Sequence, residues 1–87
     1  MAFYKVEWKS SAERELKGID RPVIPKIIEA VDLLTQNPFP PQSRKLLGVE
    51  SSYRLRVGDY RVIYQVDASE KTVVIYHIRH RKEAYRV

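Results

Sequence analysis

Arg54, Arg56 and Arg61 are the residues whose type and spacing most readily do chemistry. They lie in Tyr53-Arg54-Leu55-Arg56-Val57-Gly58-Asp59-Tyr60-Arg61-Val62-Ile63-Tyr64, where apolar and charged side chains alternate before the Gly58-Asp59 pair. Alternation with a period of two marks a half-buried strand. Gly-Asp is a two-residue turn of the kind that closes a hairpin. Such a turn fixes the register: Val57 faces Tyr60, Arg56 faces Arg61, Leu55 faces Val62 and Tyr53 faces Tyr64. Leu55, Val57, Val62 and Tyr64 then share one face, and Arg54, Arg56 and Arg61 the other. Like charges directly opposite each other destabilise a sheet, so a fold gains nothing from this pair. A phosphate between them gains a great deal, because guanidinium forks match phosphate oxygens two at a time. The competing account is a solvated face on which strand twist splays the two side chains apart.

A second group of candidates follows. Thr72 to Arg79 is rich in β-branched residues and reads as a strand. Antiparallel pairing with the preceding strand places Val74, Tyr76 and Ile78 in the core, and His77, Arg79 and Arg81 on the arginine face. The tail His80-Arg81-Lys82-Glu83-Ala84-Tyr85-Arg86 adds positive charge and an aromatic ring. Arginine with a stackable ring holds single-stranded RNA, the charge taking the backbone and the π-face a base. Taken alone, Tyr85 reads as a packing residue and His80 as a surface histidine. His77 and His80, without cysteines or a suitable carboxylate nearby in sequence, make a poor metal site, so no metal is expected. No glycine-rich phosphate loop or nucleophile elbow is present, and no cofactor is expected.

The elements that must position these residues can be read along the chain. Phe3 to Trp8 alternates, with Tyr4, Val6 and Trp8 on one side, as a short strand. Ser10 or Ser11 caps a short helix through Leu16, and Gly18 ends it. Asp20 opens a second helix with Pro22 in its first turn. Val23, Ile24, Ile27, Ile28, Val31 and Leu34 form its apolar stripe. Pro25 removes an amide donor early in that helix and is expected to shift its start or kink its first turn. Asn37-Pro38 ends the helix. Lys45 to Leu47 is a candidate short strand. The expected architecture is α+β: two N-terminal helices packed on one face of a small antiparallel sheet, in a single domain over residues 1–87.

Composition narrows the partners. Sixteen Lys and Arg stand against 11 Asp and Glu in 87 residues, a net charge of +5. Such a surplus favours polyanions or an acidic protein. With no cysteine, disulfides and thiolate metal sites are excluded. The first residues contain no long apolar run, so neither a signal peptide nor a membrane span is expected, and the cytoplasm is the default.

The sequence resembles the RelE/ParE superfamily of bacterial and archaeal toxins from toxin–antitoxin modules, and the RelE branch best. The resemblance spans nearly the whole chain. It is carried by Leu16-Lys17-Gly18-Ile19-Asp20, by Lys26-Ile27-Ile28 through Asn37-Pro38, and by Lys45-Leu46-Leu47-Gly48. The strongest stretches are the arginine hairpin and His80-Arg81-Lys82-Glu83-Ala84-Tyr85. It implies the RelE-like microbial RNase fold and a type II toxin that cuts mRNA in the A site of the 70S ribosome. It also implies a cognate antitoxin that wraps the toxin, and a metal-free attack of the ribose 2′-hydroxyl on the adjacent phosphate. Carried over, Arg61 and Arg81 fall on the family's two catalytic arginines. Arg54 and Arg56 fall on a basic pair that is lysine in the best-known members. Tyr85 falls on a C-terminal tyrosine that stacks on or orients the substrate.

The lysine-to-arginine departure bears on mechanism. Arginine is effectively always charged and is a poor base. Arg54 and Arg56 are therefore expected to hold phosphate and developing negative charge. The proton acceptor is then His80, whose ordinary pKa suits the task, or a group on the ribosome or the RNA. The expected catalytic set is Arg56, Arg61, Arg81, His80 and Tyr85, with Arg54, Lys45, Arg79 and Lys82 binding RNA. Two other activities compete: poisoning of DNA gyrase, as in the ParE branch, and RNA binding without turnover. The full set Arg54, Arg56, Arg61, Arg81 and Tyr85 favours the nuclease, since a gyrase binder need not keep it.

Overall fold

The structure is a computed structural model and describes residues 3–46, 48 and 51–84, with side chains as far as Lys82. In chain order it contains β1 (Lys5–Trp8), α1 (Ser10–Lys17), a 3-10 turn (Arg21–Val23), α2 (Ile24–Leu33), β2 (Ser43–Lys45), β3 (Ser52–Val57), β4 (Tyr60–Asp67), β5 (Thr72–His80) and the single-turn α3 (Arg81–Ala84). The strands form one sheet in the order β1-β5-β4-β3-β2. Strands β2 to β5 are antiparallel throughout, as expected. β1 departs from that expectation: it joins the edge of β5 in parallel, so the sheet is mixed. The passage from β1 to β5 runs through both helices and the other strands, which gives the chain ample length for a parallel crossover.

The hairpin adopts the register set by its turn: Val57 faces Tyr60, Arg56 faces Arg61, Leu55 faces Val62 and Tyr53 faces Tyr64. Gly58 takes a φ of 58°, a conformation glycine enters without the Cβ penalty of other residues. Leu55, Val62 and Tyr64 are buried with Val73, Ile75 and Ile78 of β5. The α2 stripe of Ile27, Val31 and the following Leu34 closes over them, and Ala12 of α1 joins the same cluster. Tyr64 buries its ring completely and donates its hydroxyl to the Pro38 carbonyl at 2.8 Å. Burial raises its pKa from 10.0 to about 12, because a phenolate there would lose its water.

One detail of the helices differs from expectation and one follows it. Lys9 occupies the N-cap of α1 without a side-chain bond. Ser11 instead sends its hydroxyl across to the Tyr76 carbonyl at 2.8 Å. The Pro25 problem is resolved by a break: the 3-10 turn ends at Val23, and α2 restarts with Pro25 in its first turn. The first amides of a helix have no intrahelical acceptor, so the missing donor costs little there.

β5 carries the largest departure. Ile63 faces His77 but Tyr64 faces Ile75, so Tyr76 is an extra residue, a β-bulge. The bulge resets the alternation. Val73 and Ile75 enter the core before it and Ile78 after it, whereas Val74 and Tyr76, expected inside, are only half-buried. Among the described residues β5 has no strand neighbour on its outer side past the bulge, because β1 pairs only Thr72 to Ile75. α1 lies along that edge. Ser11 binds the Tyr76 carbonyl, and the Glu15 carboxylate accepts from the Ile78 amide at 3.1 Å. Helix side chains thus satisfy backbone groups that a neighbouring strand would have taken.

Candidate nucleic-acid interface

The face of the sheet opposite the core carries the arginines in two rows. One crosses the strands as Arg56, Arg61 and Arg79, and the other as Arg44, Arg54, Ile63 and His77. Residues facing each other across antiparallel strands have Cβ atoms only ~4.5–5.5 Å apart. Arg56–Arg61, Arg61–Arg79 and Arg44–Arg54 are therefore three directly opposed like-charged pairs. Pro41, Gln42, Arg44, Arg54, Arg56 and Arg61 line a cleft of about 360 Å³. Four guanidinium groups on three strands thus converge on one open site, sized and charged for a phosphodiester.

Arg61 is not the solvated side chain that the alternation implies. It is only 8% exposed. Its Nη1 donates to the carbonyls of Gly58 at 3.0 Å and Tyr60 at 2.9 Å. The side chain curls back over its own turn, walled by Arg56 on one strand and Arg79 on the other. A cation held by neutral carbonyls keeps its full charge for an incoming anion. A carboxylate partner would have neutralised it. Arg56, beside it, is exposed at the mouth. Arg54 is half-buried in the second row. Arg44 donates to the carbonyls of Pro41 and Ser43, both at 2.9 Å, which holds it against the loop wall.

The other expected site residues fall into two groups. Arg79 does join the arginine face, opposite Arg61. Its Nε lies 3.6 Å from Glu15 Oε2, and its Nη2 lies 3.3 Å from His77 Nδ1. Arg81, expected on that face with Arg79, lies beyond the end of β5 in α3. Its amide donates to the Asp59 carbonyl at 2.7 Å, and its guanidinium sits 3.9 Å from the Asp59 carboxylate at the hairpin turn. Lys82 follows it on α3, exposed. Lys45 pairs with Tyr53 and so projects to the face opposite Arg44. Arg44, which sequence reasoning passed over, occupies the cleft in its place. The pair Arg44-Lys45 offers no alternation to say which cation faces which way.

His80 also faces away from the arginines. It pairs with Tyr60, with ring centroids 5.6 Å apart, and its Nδ1 accepts from the Lys82 amide at 3.3 Å. Alternation beyond the bulge brings His77, not His80, to the arginine side. Tyr85 lies outside the described residues.

A small α+β domain with two helices against a five-stranded mixed sheet has the fold of the solved RelE toxins. Residues 6–85 match the family described as the ParE toxin of the type II toxin–antitoxin system, and the chain belongs to the RelE/ParE family of type II toxins. It is 32% identical to toxin RelG of Mycobacterium tuberculosis over 87 residues, which covers 95% of this chain and 97% of that one. It is 33% identical to toxin RelE of the same organism over 88 residues, with coverages of 97% and 88%. In three dimensions it is similar to the archaeal RelE of the RelE–RelB complex from Pyrococcus horikoshii. The TM-score is 0.81 at 30% identity, over 93% of this chain and 97% of that one.

Proposed function

We propose that this toxin is a ribosome-dependent endoribonuclease that cleaves mRNA in the A site and so arrests translation in the cytoplasm. The observation that carries this reading is the Arg56–Arg61 pair, set in a cleft with Arg44 and Arg54. Directly opposed cations are a cost to the fold, offset when a phosphate lies between them. In the reaction, the ribose 2′-oxygen attacks the adjacent phosphorus and the 5′-oxygen leaves. Negative charge builds on the phosphoryl oxygens, where Arg61, fixed by its two carbonyl bonds, and Arg56 are already in place. Arg79 flanks Arg61 from the next strand. Arg44 and Arg54 take a neighbouring backbone phosphate. Arg81 and Lys82 hold the rim at α3, and Tyr85 stacks a base.

A cognate antitoxin is the natural protein partner. The RelE-type chain from Pyrococcus horikoshii was solved with its RelB, and a RelBE2 complex of Mycobacterium tuberculosis is similar at a TM-score of 0.79. An acidic or amphipathic antitoxin segment would cover the arginine face or the helices beside it.

Primer extension on cellular mRNA after a pulse of expression tests the activity. Cuts within translated codons are expected. The family match carries the ParE name, and gyrase poisoning is its counterpart reading. Intact mRNA with blocked replication and an induced DNA-damage response would establish that reading instead.

A further inference from the structure

The nuclease reading needs a proton acceptor for the 2′-hydroxyl. The arginines cannot serve, because they do not release their protons. His80 stands on the wrong face. The structure offers another group. The bulge at Tyr76 turns His77 onto the arginine side, opposite Ile63 and diagonal to Arg61. Diagonal neighbours across antiparallel strands are ~7–8 Å apart. Glu15 of α1 holds the ring: its Oε1 lies 3.2 Å from His77 Nδ1 and also accepts from the Ile78 amide at 3.1 Å. A carboxylate can only accept, so the Glu15 contact, the shorter of two at Nδ1, favours the ring proton there and a lone pair on Nε2; Arg79 Nη2, 3.3 Å from the same nitrogen, can only donate and favours the opposite tautomer. His77 Nε2 bonds to no described residue, and the side chain is 36% exposed. A carboxylate that orients an imidazole, which in turn presents its far nitrogen, is a recurrent general-base arrangement.

We propose that His77 is the general base of the cleavage and that Glu15 is the residue that positions it. The inference rests on the nuclease reading above. Nε2 takes the proton from the 2′-hydroxyl as O2′ bonds to phosphorus and the bond from phosphorus to O5′ breaks. The products are a 2′,3′-cyclic phosphate and a 5′-hydroxyl. The departing 5′-oxygen takes its proton from water, and the imidazolium releases its own to the hydroxide that remains. The charged groups around the ring are Glu15 from α1, Arg79 on β5, Arg61 on β4 and, one strand further, Arg54 on β3. The bulge gains a purpose in this scheme. Unbroken alternation from Ile75, a core residue, would send His77 into the core and Arg79 with it.

The test is single-turnover cleavage of mRNA on programmed ribosomes from about pH 5.5 to 8.5, with folding checked by thermal melting. The parent should lose rate toward acid with unit slope as one group protonates. H77Q should bind ribosomes normally, cleave ~10²–10⁴-fold more slowly and lose that slope. Added imidazole should restore part of the rate to H77A, which a merely structural histidine would not allow. E15Q should slow cleavage and displace the acid limb along the pH axis, and E15D should recover most of the rate. H77Q cleaving at the parental rate with the parental pH profile overturns the proposal while the nuclease reading stands. A parent that binds ribosomes and cuts nothing sinks the nuclease reading itself. If H77Q does not fold, imidazole rescue of H77A and the E15Q profile still decide, and failure of both overturns the proposal.

Discussion

Arg56 and Arg61 face each other across β3 and β4, with Arg56 exposed and Arg61 8% exposed beneath it. One is a cation fixed in the wall of the site and the other a cation at its mouth. Their roles can therefore be separated by substitution. Arg56→Ala removes a like-charge repulsion and buries nothing new, so stability should hold or rise by up to ~1 kcal/mol. Growth arrest should be abolished. Arg61→Ala should also abolish it, but should cost about 1–3 kcal/mol, because a buried charged donor and its two carbonyl bonds are lost. Denaturant titration of both variants beside a toxicity assay measures the contrast. Equal stability loss in the two would contradict the assigned burial.

Arg56→Lys and Arg54→Lys both keep the charge, yet they should differ. In the proposed reaction Arg56 would meet Arg61 on one phosphate, where a point charge cannot reproduce a bidentate fork. Cleavage should fall ~10²–10³-fold, the usual loss when a transition-state donor is removed. Arg54 lies one pleat further from the turn, opposite Ile63 and Arg44, and its lysine variant should lose less. Single-turnover rates at two salt concentrations compare them, and equal losses would remove this division of labour.

Arg44 should act on binding alone. It belongs to the second row and is exposed beside the loop wall. Arg44→Ala should weaken binding to single-stranded RNA without sequence preference. The slope of log K against log salt should drop by ~0.7, one phosphate's worth for a single strand. Lys45→Ala, on the opposite face, should leave that slope unchanged. Fluorescence anisotropy across a salt series reads both.

The placement of Arg79 and Arg81 predicts that they exchange the weight the sequence assigned them in cleavage. Arg79 faces Arg61 on the sheet, whereas Arg81 sits 3.9 Å from Asp59 at the turn. Arg79→Ala should reduce single-turnover cleavage more than Arg81→Ala, by at least ~10-fold, or ~1.4 kcal/mol in barrier height. A larger loss in Arg81→Ala would return the second catalytic arginine to α3.

Stability at high pH should follow Tyr64. Its folded pKa is raised by burial from 10.0 to about 12. The folded protein therefore holds this proton more tightly than the unfolded chain does. The stabilisation is complete below pH 10 and is lost as pH rises toward 12, with a ceiling of ~2.7 kcal/mol for two pKa units. Tyr64→Phe should be less stable at neutral pH by about 1 kcal/mol, having lost the bond to Pro38. It should lack that part of the alkaline slope. Urea titrations at pH 9 and pH 11 separate the two effects.

The sequence by itself determined the arginine hairpin. A two-residue turn and strict alternation are local signals, so the pairing of Arg56 with Arg61 and the common face of Arg54 followed without knowledge of the rest of the fold. The apolar stripe of α2 and the half-buried alternation of β1 were legible for the same reason. Tertiary structure decided everything that depended on a distant partner. The bulge at Tyr76 arises where β5 must match β4 on one side and trade β1 for α1 on the other. That one extra residue sends Val74 and Tyr76 out of the core, while His77 and Arg79 stay on the arginine side where alternation had placed them. β2 is too short to declare its faces, so only pairing with β3 brings Arg44 into the cleft and turns Lys45 away. Glu15 reads in sequence as one more acid on an amphipathic helix. It reaches His77, 62 residues later in the chain, only because α1 packs along the strand edge that β1 leaves open.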